Sequence, residues 1–270
     1  MTYERIYLID GREDVYLDVY VADKTPYFLR KALLVIPGGG YSCVCADKEG
    51  EPVALSFMNH GFNCFVLNYS VGGKDTFPAQ LIEASLAMKH IKDRSDLYGI
   101  DPTKIFTVGF SAGGHLAGSL GLLWHLPEVY EAIDMPYGYN KPAGMMLVYP
   151  VISGIEEFSH KSSHCYLWGE NPPTDDKLIR TSLERHVDEK SVPLFVMHTS
   201  NDQIVDVRNS LELGAAYRRA RLTFEMHIFP DSPHGIALAN KMTWKGKPIM
   251  DNPHIAQWVE LAAQWSDSIE

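Results

Sequence analysis

The chain opens on a strict alternation in which Val15, Leu17, Val19 and Val21 are apolar and their neighbours polar or aromatic, with Asp10-Gly11 placed to turn the backbone. A period of two marks a strand with one covered face, so the first twenty or so residues are predicted to form an antiparallel hairpin at a sheet edge. The pattern then changes. Residues 32–36, 64–67, 105–108, 145–149, 194–197 and 224–228 are short, almost unbroken apolar runs, as expected of strands covered on both faces. Between them the apolar positions fall at helical spacing. Leu81, Ala84, Met88 and Ile91 make one stripe; Leu211 and Ala215, with Arg218 and Arg219, make another in a segment that Asp206 is placed to cap. Near the end, Asn252-Pro253 supplies a cap and a first-turn proline, and Ile255, Trp258, Val259, Ala262 and Trp265 form a face that should pack against the sheet.

A hairpin followed by repeated strand–helix units predicts an α/β protein: a mostly parallel, doubly wound sheet with right-handed crossovers, one domain over residues 1–270, and ligands bound at the C-terminal ends of the strands. Two stretches, 125–143 and 152–191, break the alternation. The second carries Phe158, Tyr166 and Trp168, then Pro172-Pro173, then a charged helical stretch over 175–190. It reads as a small cap-like insertion over the C-terminal edge of the sheet.

Length and charge narrow the partners. A chain of 270 residues is long enough for a full core, and its net charge of -10 with no basic patch argues against nucleic acid or an anionic membrane as partner. A small-molecule substrate is expected. The start Met1-Thr2-Tyr3-Glu4-Arg5 lacks the pattern of a secretory signal and the apolar runs are too short to span a bilayer, so a cytoplasmic location is expected. The four cysteines, at 43, 45, 64 and 165, read as reduced and mostly packed thiols, because Cys43-x-Cys45 lacks the two-residue gap of a zinc knuckle. No metal or organic cofactor is expected. An open sheet edge, or the tryptophan-bearing last helix, offers a surface for a homo-oligomer.

The strongest chemical signal is Gly109-Phe110-Ser111-Ala112-Gly113-Gly114, set between the apolar strand 105–108 and a small-residue helix. It matches the nucleophile elbow, in which a serine occupies a tight strand-to-helix turn and glycines two residues to either side remove a collision where strand and helix cross. The turn also brings the Ser111 hydroxyl to a helix N-terminus, where the Ala112 amide can stabilise an oxyanion. Upstream, Pro37-Gly38-Gly39-Gly40-Tyr41 follows the strand 32–36 and is similar to the His-Gly-Gly-Gly loop of esterases, so the amides of Gly39 and Gly40 are the second source of oxyanion donors. Proline stands where that loop usually has histidine, which removes a side chain that often braces it.

An acid and a base should follow in the order Ser, Asp, His. Of the eleven histidines, His234 lies just past the last strand in a loop that can reach Ser111, while His198 and His115 read as structural or orienting residues. For the acid, Asp202 sits in the loop after the strand 194–197; Asp206 remains the alternative, better explained as a helix cap, and Asp231 as a turn residue.

Taken together, the glycine loop at 37–41, Gly-Ile-Asp-Pro-Thr-Lys-Ile at 99–105, the elbow at 109–114, Asn201-Asp202 and Pro233-His234-Gly235 give a chain that resembles the short-chain bacterial esterases of the α/β-hydrolase superfamily, related to acetyl esterases and acetylxylan esterases of the hormone-sensitive-lipase-like branch. The resemblance implies acyl transfer to water by Ser111, His234 and Asp202, with small acyl groups, acetyl above all, as substrates, on a sugar or another polar alcohol. Tyr41, Tyr69, Tyr166 and Trp168 are the candidate pocket walls, since aromatic faces suit a sugar ring. An amidase or peptidase of the same fold and a catalytically silent ligand-binding relative are the alternatives.

Overall fold

The structure is a computed structural model, and it describes residues 1–269. Among the described residues eight strands form one sheet: β1 (Thr2–Tyr7), β2 (Tyr16–Val21), β3 (Arg30–Ile36), β4 (Phe62–Asn68), β5 (Ile100–Phe110), β6 (Met145–Val148), β7 (Leu194–Thr199) and β8 (Phe224–Phe229), in the order β1-β2-β4-β3-β5-β6-β7-β8. The hairpin β1–β2 is antiparallel, and β2 joins β4 antiparallel. All later pairings are parallel.

The apolar runs are continuous because helices cover both faces. Side chains alternate along β3, so Leu34 and Ile36 enter one layer with Leu81, Ala84, Met88, Leu116 and Leu213, while Leu33 and Val35 enter the other with Val53, Phe57, Trp258 and Trp265. The first layer holds the helices Ala79–Asp93, Ala112–Leu122 and Arg208–Arg219; the second holds Glu51–Met58 and Trp258–Asp267. Asn252 caps the short helix Pro253–Ala256, which leads into the last helix, by accepting from the amides of His254 and Ile255. Trp258 and Trp265 are buried within the chain itself, so the last helix does not present them to a second copy.

Three expectations need correcting. Leu211 is 46% exposed; the helix Arg208–Arg219 buries Asn209, Ser210, Leu213, Ala216 and Tyr217 instead. Part of its buried face is polar, because Asn209 accepts from the amides of Ile152 and Ser153 and Ser210 meets His198, and apolar periodicity cannot find such a face. The charged stretch 175–190 is α-helical only over Asp175–Arg180 and continues as a short 3-10 turn, Leu183–Arg185. Thr181 and Ser182 end it by donating back to the carbonyls of Lys177 and Leu178, a local competition with the helix ladder. Of the four free thiols only Cys64 is buried; Cys43 is exposed and Cys45 and Cys165 are half-buried.

The insertion 152–191 is anchored to the sheet side of the molecule. Trp168 packs on Phe77 with ring centroids 5.4 Å apart, and Leu183 fills the space that a side chain at Gly118 would take, 2.7 Å from its position. Among the described residues no helix is long and apolar enough to cross a membrane.

Candidate active site

Ser111 stands between β5 and the helix Ala112–Leu122 with φ 53° and ψ -117°. A non-glycine residue at positive φ costs on the order of 1–3 kcal/mol and persists only where its surroundings impose it. Here they do. The Ser111 amide donates to Val148 O at 3.0 Å, and its carbonyl accepts from the amides of His115 at 3.1 Å and Val151 at 3.0 Å. A Cβ on Gly109 would lie 2.3 Å from Gly113 O, and one on Gly113 would lie 2.2 Å from Ile36 O. Only glycine allows strand and helix to cross so closely.

Ser111 Oγ, 2.9 Å from His234 Nε2, donates to it, and His234 Nδ1 in turn donates to Asp202 Oδ2 at 2.6 Å. His234 arrives on the loop after β8 and Asp202 on the loop after β7, so the three side chains meet at the C-terminal edge of the parallel strands. Asp202 is buried, which alone would favour its neutral form. Hydrogen bonds from His198 and His234, and from the amides of Ile204 at 2.9 Å and Val205 at 3.0 Å, reverse this and hold its carboxyl well below the usual carboxylate range. His198 is itself fixed, donating to Val205 O at 2.9 Å and accepting from Ser210 Oγ at 2.8 Å. Asp206 is engaged elsewhere, accepting from the Arg208 amide at 2.9 Å and pairing with the Arg208 guanidinium at 2.7 Å. Asp231 is exposed.

The glycine loop closes the other side. Gly39 has φ 129° and Gly40 φ 64°, conformations that a side chain rarely allows. Gly39 O accepts from the amides of Ser42 and Cys43, which turns the loop back on itself; Gly39 and Gly40 both line the Ser111 cavity, and neither amide has an acceptor among the described residues. The Ala112 amide, first in its helix and next to Ser111, likewise has no acceptor among the described residues. The brace that the missing histidine would supply comes from elsewhere. Tyr69 donates to Pro37 O at 2.8 Å, and Glu49 accepts from the Gly38 amide at 2.9 Å.

Three of the four aromatic candidates are therefore not pocket walls. Tyr41 is buried and donates to His115 Nδ1 at 2.8 Å, since His115 Nε2 is spent on Thr181 O; burial keeps this imidazole neutral, its pKa lowered to about 4. Tyr69 is buried under the loop, and Trp168 is buried against Phe77. Their apolar surface served the core, where ring size counts as much as at a ligand site. Tyr166 is 43% exposed, but it lines an open groove of about 590 Å³ with Gly72, Gly73, Lys161 and Asn171, whose lining does not include Ser111.

The cavity that does contain Ser111 and His234 is small, about 160 Å³, and is lined also by Gly39, Gly40, Cys45, Lys48, Glu49, His160 and Ile204. His160, on the insertion, accepts from or donates to Ser163 Oγ at 2.8 Å through Nδ1, and burial together with the nearby His234 lowers its pKa. Tyr149 lies edge-on to His234, ring centroids 4.9 Å apart. None of His160, Glu49, Lys48 or Tyr149 was singled out by sequence. His160 sits in a polar stretch and Glu49 in the charged run Lys48-Glu49-Gly50-Glu51, which read as solvated surface. The one usable signal was Tyr149, placed at the C-terminal end of an apolar strand where ligands are expected.

The BD-FAE family model matches residues 17–217. Endo-1,4-beta-xylanase B of Butyrivibrio fibrisolvens is 37% identical over 224 residues, 80% of this chain but 34% of that protein. The acetylxylan esterase of Xylanibacter ruminicola is 27% identical over 247 residues, 88% of this chain and 47% of its own length. The chain thus spans between a third and a half of the length of these curated relatives. Among solved structures, the acetyl ester-xyloside bifunctional hydrolase of Caldicellulosiruptor lactoaceticus superposes with a TM-score of 0.84 at 34% identity, covering 98% of this chain and 96% of that one. The sheet order and this superposition make the fold that of the α/β-hydrolases.

Proposed function

The chain belongs to the BD-FAE family, and from that premise we propose that it is a serine carboxylesterase that removes short acyl groups, acetyl first among them, from carbohydrate alcohols through Ser111, His234 and Asp202. The observation that carries this reading is the hydrogen-bonded series Asp202–His234–Ser111 opening into a small cavity that Gly39 and Gly40 also line, with the amides of Gly39, Gly40 and Ala112 left without acceptors among the described residues.

Each step follows from an atom already in place. Ser111 Oγ attacks the ester carbonyl while His234 Nε2 takes its proton, and the Asp202 carboxylate stabilises the imidazolium through Nδ1–H. The carbonyl oxygen becomes an oxyanion that the Ala112 amide and those of Gly39 and Gly40 bind. When the tetrahedral species collapses, His234 returns the proton to the departing alcohol and an acyl group stays on Ser111. Water, deprotonated by the same nitrogen, repeats the addition and releases the carboxylic acid.

The volume of about 160 Å³ around Ser111 supports a small acyl group. Carbohydrate as the alcohol rests on the names of the relatives, an acetylxylan esterase and an acetyl ester-xyloside hydrolase. Cytoplasmic residence, with imported acetylated oligosaccharides rather than polymers as substrates, belongs to the same proposal and is supported by four unpaired thiols. A small-molecule ester, rather than nucleic acid or a membrane, is its partner in this reading. The test is a 4-nitrophenyl ester series from acetyl to octanoyl beside 4-nitroacetanilide and acetylated xylo-oligosaccharides. Highest kcat/KM on acetyl esters and release of acetate from the oligosaccharide are expected; a preference for octanoyl or for the anilide overturns the reading.

A further inference from the structure

Glu49 is 2% exposed although its neighbours in sequence are charged. A buried carboxylate is costly unless donors surround it, and three do. Oε2 accepts from the Gly38 amide at 2.9 Å, Oε1 accepts from the Tyr149 hydroxyl at 3.1 Å, and Lys48 Nζ lies 3.5 Å from Oε1. Each donor belongs to a different part of the site. Gly38 opens the glycine loop, so close to the nucleophile that a Cβ there would sit 3.0 Å from both Glu49 Oε2 and Ser111 Cβ. Tyr149 directly follows β6 at φ 39°, a left-handed conformation that costs a tyrosine on the order of 1–3 kcal/mol. Its hydroxyl also accepts from the Ala237 amide at 3.0 Å, and its ring rests against His234. Lys48 donates to Gly235 O at 3.2 Å, one residue beyond His234.

We propose that Glu49 is a positioning residue that couples the two halves of the site: through Gly38 it sets the direction of the Gly39 and Gly40 amides, and through Tyr149 and Lys48 it sets the His234 loop. One buried carboxylate then fixes the distance between the oxyanion donors and the general base. Burial, and the proximity of Glu49, push the Tyr149 phenol well above its ordinary value, so it keeps the proton it donates. An apolar residue of similar volume would fill the space but make none of these bonds, which separates a positioning role from packing.

The consequence for turnover rests on the function proposed above; the coupling itself does not. Glu49→Gln removes the charge that pairs with Lys48 and leaves one acceptor oxygen for the Gly38 amide; the Tyr149 hydroxyl must then lose its acceptor or turn round to accept from the new amide, and either change weakens its bond to the Ala237 amide. Turnover of 4-nitrophenyl acetate is expected to fall about 30- to 300-fold in kcat, near the effect of losing an oxyanion donor, with KM within threefold. Tyr149→Phe keeps the ring and should lose about tenfold, and the double variant should be no worse than Glu49→Gln within threefold, because one unit is broken in each. Amide hydrogen exchange reads the coupling without any substrate. In Glu49→Gln the Ala237 amide, which Glu49 does not touch, should exchange faster together with that of Gly38. A kcat within threefold of the unmodified protein, or a fall with Ala237 protection unchanged, overturns the proposal. If Glu49→Gln does not fold, Tyr149→Phe decides: exchange at Gly38 must rise along with that at Ala237, and an unchanged Gly38 amide is fatal. An unmodified protein that leaves acetyl esters intact while the exchange coupling stands counts against the proposed function and not against this inference.

Discussion

The Ser111 side of the cavity and the insertion 152–191 meet over the same small space, yet they are built in different ways. The Ser111 side is held by backbone: a strained turn, two glycines that let β5 and its helix cross, and a glycine loop folded on its own carbonyl. The insertion is held by side chains found far apart in sequence. Trp168 rests on Phe77, Leu183 fills the notch at Gly118, and His115 and His164 stack edge-on 5.4 Å apart while donating to Thr181 O and Ser153 O. Backbone constraint leaves a mark in local sequence, because only glycine or a turn residue satisfies it. Pairing between distant side chains leaves none.

The sharpest way to break this contrast is at the acid. Asp202→Asn should lower kcat by about 10³–10⁴-fold with the fold kept, the effect of forcing the wrong histidine tautomer; steady-state kinetics on an acetyl ester checks it. An equal loss in Asp206→Asn, or none in Asp202→Asn, would place the acid on the other aspartate. Next comes the crossing itself. Gly113→Ala puts a Cβ 2.2 Å from Ile36 O with backbone on every side, so a loss of about 4 kcal/mol or more is expected, seen as a fall in Tm of roughly 10 °C for a chain this long. A small change in Tm would mean that the backbone yields.

The contact between the insertion and the helix Ala112–Leu122 should respond to acid where Asp202 does not. Burial lowers the pKa of His115 to about 4 and that of His164 to about 3, against an ordinary value near 6.5. As pH falls below about 6.5 the unfolded chain therefore binds protons that the folded chain refuses. The stability these two neutral rings contribute is complete above about pH 6.5 and is lost progressively toward about pH 4. Asp202, held well below the ordinary carboxylate range, keeps its contribution through that window and loses it only at lower pH, below about 4. Tm measured from pH 7 to 4 should fall, and His164→Gln should flatten the slope; a flat profile in the unmodified protein contradicts this. A smaller effect is expected from His160→Ala, which removes a ring from the cavity wall but no reacting atom: about a tenfold loss in kcat/KM, or about 1.4 kcal/mol, carried mainly by KM. Smallest of all, Asp206→Asn should cost less than about 1 kcal/mol of stability with activity kept, because asparagine keeps an acceptor for the Arg208 amide and only the exposed ion pair is lost.

What was legible in the sequence follows the same division. Five of the six parallel strands, β3 to β7, could be read because helices on both faces make them almost continuously apolar, and the elbow because its glycines are local; β8, at the sheet edge, is only half-buried. The aromatic walls were misread because Tyr41, Tyr69 and Trp168 look the same in sequence whether they line a pocket or brace a loop. Glu49 was missed for the opposite reason: a carboxylate among charged neighbours reads as surface, and only the folded chain brings Gly38, Tyr149 and Lys48 around it. The buried polar face of the helix Arg208–Arg219 was hidden in the same way.

The central claim is that Ser111 carries the acyl group. Mixing the protein with 4-nitrophenyl acetate, quenching within one turnover and locating the adduct by peptide mass spectrometry tests it directly. Acetyl on the peptide bearing Ser111, absent in Ser111→Ala together with a loss of about three orders of magnitude in turnover, is the predicted result; acetyl on another residue, or full turnover in Ser111→Ala, contradicts it.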